Sequence, residues 1–146
     1  MRLNLQSDYA LRVLTHLDVR RGELVTIKEI ADRFRISQNH LMKVAYLLGR
    51  EGFIETVRGR SGGLRLIRRS DTIRIGDVVR SMENDLALVE CFPGGANGCL
   101  IGRACRLKGI LHEALEAFLS VLDRYTIADL TAGNTKLRAM LQSEVA

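Results

Sequence analysis

The segment from 91 to 105 reads CFPGGANGCLIGRAC and holds all three cysteines of the 146-residue chain, together with its single proline. Cys91, Cys99 and Cys105 are separated by seven and five residues. That is neither the paired C-x-x-C spacing of structural zinc sites nor the tight run of a ferredoxin. Buried inert thiols are the ordinary fate of free cysteine, but Pro93, Gly94, Gly95, Gly98 and Gly102 leave this stretch poor in apolar bulk. Arg103, Arg106 and Lys108 lie beside the sulfurs, and cationic surroundings suit thiolate ligands. Sulfur donors grouped on a pliable strap match a soft metal ion or an iron-sulfur cluster. Three thiolates are one short of a full set, so a further side chain, water or small molecule must complete it. The nitrogen candidates are His16, His40 and His112. His40 reads better as a DNA contact, His16 as a partly buried surface residue of the first helix and His112 as an ordinary helix residue; a carboxylate is the remaining option.

An odd number of cysteines cannot be consumed by disulfides, and the N-terminal MRLNLQSDYALRV lacks the apolar core of a secretory signal. These features predict a soluble protein of the reducing cytoplasm. The charge is uneven: residues 1–80 carry net +7 and residues 81–146 net −2. A basic half suits a polyanion, because each cation set against a phosphate releases condensed counterions. No catalytic constellation is present: there is no paired-carboxylate or Ser/His/Asp pattern and no flavin or nicotinamide fingerprint. The glycine-rich RGRSGG is not a phosphate-cradling loop, since a strand pattern rather than a helix follows it. The sequence therefore predicts a protein that is not an enzyme.

The elements that must position these residues follow from periodicity. Residues 8–19 place Ala10, Leu11, Leu14 and Leu17 at helical spacing, with Ser7 or Asp8 as cap. Thr26 and Glu29 form a capping-box pattern ahead of Ile27, Ile30, Ala31 and Phe34, and Ser37 caps a helix whose apolar face is Leu41, Val44, Ala45 and Leu48. Two helices joined this tightly read as helix-turn-helix. Phe53, Ile54 and Val57, then Leu64 and Leu66, bracket RGRSGG as a β-hairpin, which makes the module winged. A short helix follows over IRIGDVVRSME. After the cysteines, residues 107–125 carry an apolar stripe through Leu107, Ile110, Leu111, Ala114, Leu115, Phe118, Val121, Leu122 and Tyr125. So wide a stripe needs a partner surface, and a second copy is the simplest one. Thr126 and Asp129 open a last helix, weakened at Gly133. The expected fold is mainly α with a small hairpin wing: a winged helix-turn-helix domain (1–83), a cluster-binding loop (84–105), and a dimerisation helix with a C-terminal helix (106–146).

In a helix-turn-helix the N-terminal residues of the second helix face base edges in the major groove. Here they are Ser37, Gln38, Asn39, His40 and, one turn on, Lys43, all able to bond bases or phosphates. Arg58 and Arg60 alternate with glycine at the wing tip, so the backbone can approach while the guanidinium groups enter the minor groove. Double-stranded DNA is the expected partner.

These stretches carry a resemblance as well: MRLNLQSDYALRVL, ISQNHLMKV, ETVRGRSGGLRL, IRIGDVVR, the three cysteines, ACRLKGIL and LDRYTIADL. Taken together the chain resembles, almost end to end, the winged-helix iron-sulfur regulators, a family with NsrR, IscR and RirA branches, and most of all the nitric-oxide-sensing NsrR type. The resemblance implies a homodimeric transcriptional repressor on a pseudopalindromic operator. It implies cluster ligation by Cys91, Cys99 and Cys105, with Asp8 of the other subunit as fourth ligand and nitric oxide as the signal. Lys108 stands where the IscR type places a histidine, so a 4Fe-4S cluster is expected in preference to 2Fe-2S. The alternative implied by the same family is an iron- or redox-responsive regulator of the RirA type.

Overall fold

The structure is a computed structural model describing residues 2–93 and 98–143; Gly94 and Gly95 of the predicted loop lie outside the described residues. The chain runs α1 (Leu5–Val19), α2 (Ile27–Phe34), α3 (Gln38–Arg50), β1 (Ile54–Val57), β2 (Gly63–Leu66), a 3-10 turn at Ser70–Thr72, α4 (Ile75–Met82), α5 (Arg106–Asp123), α6 (Ile127–Thr131) and α7 (Thr135–Gln142). This is the expected winged helix with a long following helix. No described helix is long and apolar enough to cross a membrane.

Helix α1 starts three residues earlier than its periodicity suggested, because Asn4 rather than Ser7 or Asp8 is the cap. The Asn4 side chain accepts from the Ser7 amide at 2.8 Å while its Nδ2 donates to the Met82 carbonyl at 3.0 Å. Ser7 is buried and donates to Glu83 at 2.5 Å, and the Asn4 amide donates to the same carboxylate at 2.9 Å. An amide side chain can cap the helix and reach α4 at once, which neither predicted residue could do. Ala10, Val13, Leu14 and Leu17 of α1 enter the core with Leu41, Val44 and Leu48 of α3, Val78 and Met82 of α4, and Ile127 of α6.

Thr26 caps α2 by accepting from the Glu29 amide at 3.1 Å. The reciprocal half of the expected box is absent: the Glu29 carboxylate takes Arg20 at 2.5 Å, an ion pair outbidding a neutral amide. Arg35 closes α2 in the left-handed region (φ 54°), which turns the chain into α3 within three residues. Ser37 caps α3, and Gly52 at φ 75° ends it.

Strands β1 and β2 pair antiparallel from Ile54 opposite Leu66 to Val57 opposite Gly63. Val25 and Leu64 exchange backbone bonds at 3.0 and 2.8 Å, tying the wing to the connection before α2. A Cβ on Gly63 would sit 2.9 Å from the Val25 oxygen, so only glycine lets these backbones meet.

Helix α5 is fixed to the module at its C-terminal end. Arg80 forks onto Asp123 at 2.6 and 2.8 Å, Ile75 N–H donates to the Tyr125 carbonyl at 2.9 Å, and Ile127 N–H to that of Ile73 at 2.9 Å. The expected final helix is two. Gly133 at φ 66° breaks it, after which Asn134 restarts the chain as the cap of α7, while Thr126 and Asp129 form a complete capping box for α6.

His16 is wholly buried on α1, edge-on to Phe34 with centroids 5.9 Å apart, and neither ring nitrogen has a hydrogen-bond partner among the described residues. Its Nε2 lies 3.7 Å from Glu29. Burial pushes its pKa below the ordinary 6.5, with Arg20 and Arg33 reinforcing the shift and Glu29 opposing it. The unfolded chain therefore takes up a proton that the fold refuses, so stability is complete above pH 6.5 and falls as pH drops into the window beneath. Thermal melts between pH 7 and 5 are expected to show this decline, and His16→Phe to flatten it; an equal slope in the variant would exclude His16 as its source.

Candidate nucleic-acid interface and thiol strap

Each predicted DNA contact lies at the surface. Gln38, Asn39, His40 and Lys43 of α3 are exposed, as are Arg58 and Arg60 on the turn between the strands. The α3 sequence contains no acidic residue. Among the described residues Lys43, Arg58 and Arg60 take part in no ion pair, whereas Arg65 and Arg69 are neutralised by Glu55 and Asp71 at 2.5 Å each. Lys43, Arg58 and Arg60 are thus free to meet phosphate, and such contacts would release counterions. Ser37 plays a double part, since its hydroxyl already accepts from the His40 amide at 3.4 Å.

Around α3 the four buried residues Leu41, Val44, Ala45 and Leu48 face inward. Counting about 100° per residue, the opposite arc is centred on Asn39, Met42, Lys43, Tyr46 and Arg50, with Gln38 and His40 at its flanks. Met42 and Tyr46, not among the expected contacts, also lie on this outward face; both are large and largely apolar, and helical periodicity places them there. His40 leans toward α1, its ring 6.3 Å from that of Tyr9. A crevice of about 230 Å³ separates the two helices there, lined by Leu5, Gln6, Tyr9, His40, Lys43 and Val44.

Asp8 sits in the first turn of α1, on the same helix as that crevice. It is half-exposed and pairs with Arg12 through two bonds of 3.1 and 2.7 Å, while the Arg12 guanidinium lies 5.9 Å from the Tyr9 ring centroid. An exposed i,i+4 pair stabilises by only about 0.3–0.5 kcal/mol, so Asp8 can exchange Arg12 for a stronger partner at small cost.

All three cysteines are free thiols, Cys99 exposed and the others half-buried. Cys105 occupies the N-cap position of α5, where no side chain caps the first turn and no acidic residue lies; the field at such an end favours an anion. The donor set therefore suits a soft metal or a cluster in its chemistry. Its geometry is not assembled within one chain: among the described residues no three His, Cys, Asp or Glu side chains come close enough to hold one metal ion. His112 is exposed on α5 and packs edge-on against Phe92 at 6.0 Å. His16 is enclosed in the core.

Of the predicted α5 stripe, Leu107, Ile110, Val121 and Tyr125 are exposed and Leu111, Leu115, Phe118 and Leu122 only partly covered. The one buried residue is Leu119, which the stripe omitted because it faces the module instead. Beside the stripe runs a groove of about 730 Å³, walled by Leu86 and Leu88 on one side and Leu111, Leu115, Phe118 and Leu122 on the other.

These features recur in known proteins. The profile of the Rrf2 family, described as iron-dependent transcriptional regulator, matches residues 3–133. The HTH-type transcriptional regulator NsrR of Geobacillus kaustophilus is 51% identical over 97% of both chains, and that of Bacillus subtilis 49% identical over 97% of this chain and 98% of its own. Among solved structures, T. potens IscR superposes with a TM-score of 0.72 at 23% identity, covering 100% of this chain and 94% of its own. The global cysteine regulator CymR of B. subtilis gives 0.72 at 24% identity, covering 89% and 95%. With a winged helix-turn-helix, an exposed polar reading face and a family match over nearly its whole length, the chain belongs to the Rrf2 family: it is a DNA-binding transcriptional regulator and not an enzyme.

Proposed function

We propose that this regulator is a homodimeric repressor of the NsrR type, carrying an iron-sulfur cluster and releasing its operator in response to nitric oxide. The observation that carries the reading is the near-complete match to relatives named NsrR at 49–51% identity, in a chain whose only three thiols share one strap. The strap, residues 84–105, stands between a DNA-binding unit, 1–83, and a pairing unit, 106–146.

Cys91, Cys99 and Cys105 would hold the cluster, 4Fe-4S in preference to 2Fe-2S, with Asp8 of the second subunit as fourth ligand. When bound, the cluster supplies iron to which the small uncharged nitric oxide molecule binds. Asp8 then governs the coupling. Engaged, it ties α1 of one subunit to the strap of the other; disengaged, it returns to Arg12 at 2.7 Å. Because α1 packs directly on α3 within one core, a shift of α1 would move the reading helix. A dimer reads a pseudopalindrome only when its two helices lie about one DNA turn apart, and a coupling of about 1–3 kcal/mol suffices for derepression. The three free thiols and the DNA target both support a cytoplasmic location.

The direct test is anaerobic titration of the loaded protein with nitric oxide while operator binding is followed. Loss of binding at a few equivalents is expected; indifference to nitric oxide with release on iron chelation would instead establish the RirA-type, iron-responsive reading. Asp8→Ala should bleach the cluster's visible absorption faster under a chelator, while unfolding stability changes by no more than about 0.5 kcal/mol, the worth of the exposed pair it removes. Unchanged bleaching would remove Asp8 from the ligand set. Ile110→Glu, on the exposed stripe of α5, should convert the dimer to monomer in sedimentation; an intact dimer would place the subunit interface elsewhere.

A further inference from the structure

Two large side chains on the reading helix have no role in the fold. Met42 is 55% exposed and Tyr46 69% exposed, although α3 is otherwise well packed. Both lie on the arc opposite Leu41, Val44, Ala45 and Leu48, in line with Asn39 and flanked by Lys43 and Arg50. Exposing a thioether and a phenol side by side is unfavourable unless something covers them. The surroundings identify the cover: α3 has no acidic residue, Lys43 on the same outward arc takes part in no ion pair among the described residues, and Arg58 and Arg60 are exposed on the wing that follows α3. A polyanion fits this field.

We propose that Met42 and Tyr46 are DNA contacts of two different kinds, Met42 packing on the 5-methyl group of a thymine and Tyr46 donating its hydroxyl to a backbone phosphate. The inference rests on the reading that α3 enters the major groove. Helical rise distinguishes the two roles. Met42 lies about 4.5 Å along the axis from Asn39, within one turn, and Tyr46 about 10.5 Å, two turns toward the end that leaves the groove. With the N-terminal turn at the base edges, Met42 remains inside the groove and Tyr46 reaches its phosphate rim. An apolar side chain within the groove has one apolar target, the thymine methyl. At the rim, a neutral hydroxyl donor bonds phosphate without reading sequence.

The test uses the full-length, air-excluded dimer and the duplex it selects from a randomised pool. Each thymine of that duplex is replaced in turn by deoxyuridine, which removes only the methyl group. One thymine in each half-site should lose about fourfold in affinity per half-site on this replacement, the value of one buried methyl. Met42→Ala should lose about the same, and the two together no more than either alone. Additive losses, or no sensitivity to any thymine methyl, would overturn the Met42 assignment. Tyr46→Phe should weaken selected and unselected duplexes alike by about tenfold per half-site, with the salt slope unchanged, whereas Lys43→Ala, which removes one phosphate contact in each subunit, should lower that slope by about two. Full affinity in Tyr46→Phe would overturn the phosphate assignment. Both variants replace exposed side chains, and their melting temperatures should match the parent chain. If the parent selects no duplex at all, the groove reading of α3 falls and this inference with it.

Discussion

The constraint on which the rest depends is the unfinished burial of α5. Eighteen residues of helix contribute one buried side chain, Leu119, to their own module. A helix this apolar gains most of its stability from packing rather than from propensity, so the missing half of its core must come from another surface. A second α5 supplies an apolar face of the same composition, and a two-fold arrangement satisfies both at once. In the proposed dimer, pairing through α5 would set two reading heads at a fixed spacing and bring the strap of one subunit within reach of the other's α1.

Helix α1 is the element through which these properties meet. Its buried face touches α3, α4 and α6 within one core, and its N-terminus is held to the end of α4 by Asn4, Ser7 and Glu83. That tie lies at the point where the strap begins. Asp8 is one residue beyond Ser7 and is retained only by the weak surface pair with Arg12. A firmly anchored helix start with a loosely held carboxylate beside it fits the proposed role of Asp8: the carboxylate could change partner, and the packed helix would carry the displacement to α3. The Arg80–Asp123 fork locks α5 to α4, so that in the proposed dimer the spacing of paired α5 helices would become the spacing of reading heads.

Much of this was legible in the sequence, for definite physical reasons. The helix-turn-helix announced itself through Thr26 and Ser37, two caps that work locally, and through apolar residues at helical spacing that all proved buried in α3. The hairpin was marked by strand residues around glycines that the close backbone contacts require. What escaped depended on distant partners. Asn4 replaced the predicted caps because Met82 and Glu83, nearly 80 residues away, reward an amide and a serine at those positions. Glu29 left its capping box for Arg20. Leu119 was invisible because the helical stripe has two faces and sequence alone does not say which one meets the module. The thiols were recognisable by type and spacing, but their assembly is not a property of one chain among the described residues, so neither periodicity nor spacing could supply it.

The central claim is that two copies joined through α5 hold an inorganic centre between them. Native mass spectrometry of protein purified without air tests it most directly. The account predicts a species of twice the 16.3 kDa chain mass, heavier by the iron and sulfide of its clusters and losing that increment when chelator is added. A monomer, or a dimer whose mass equals two bare chains, would contradict it.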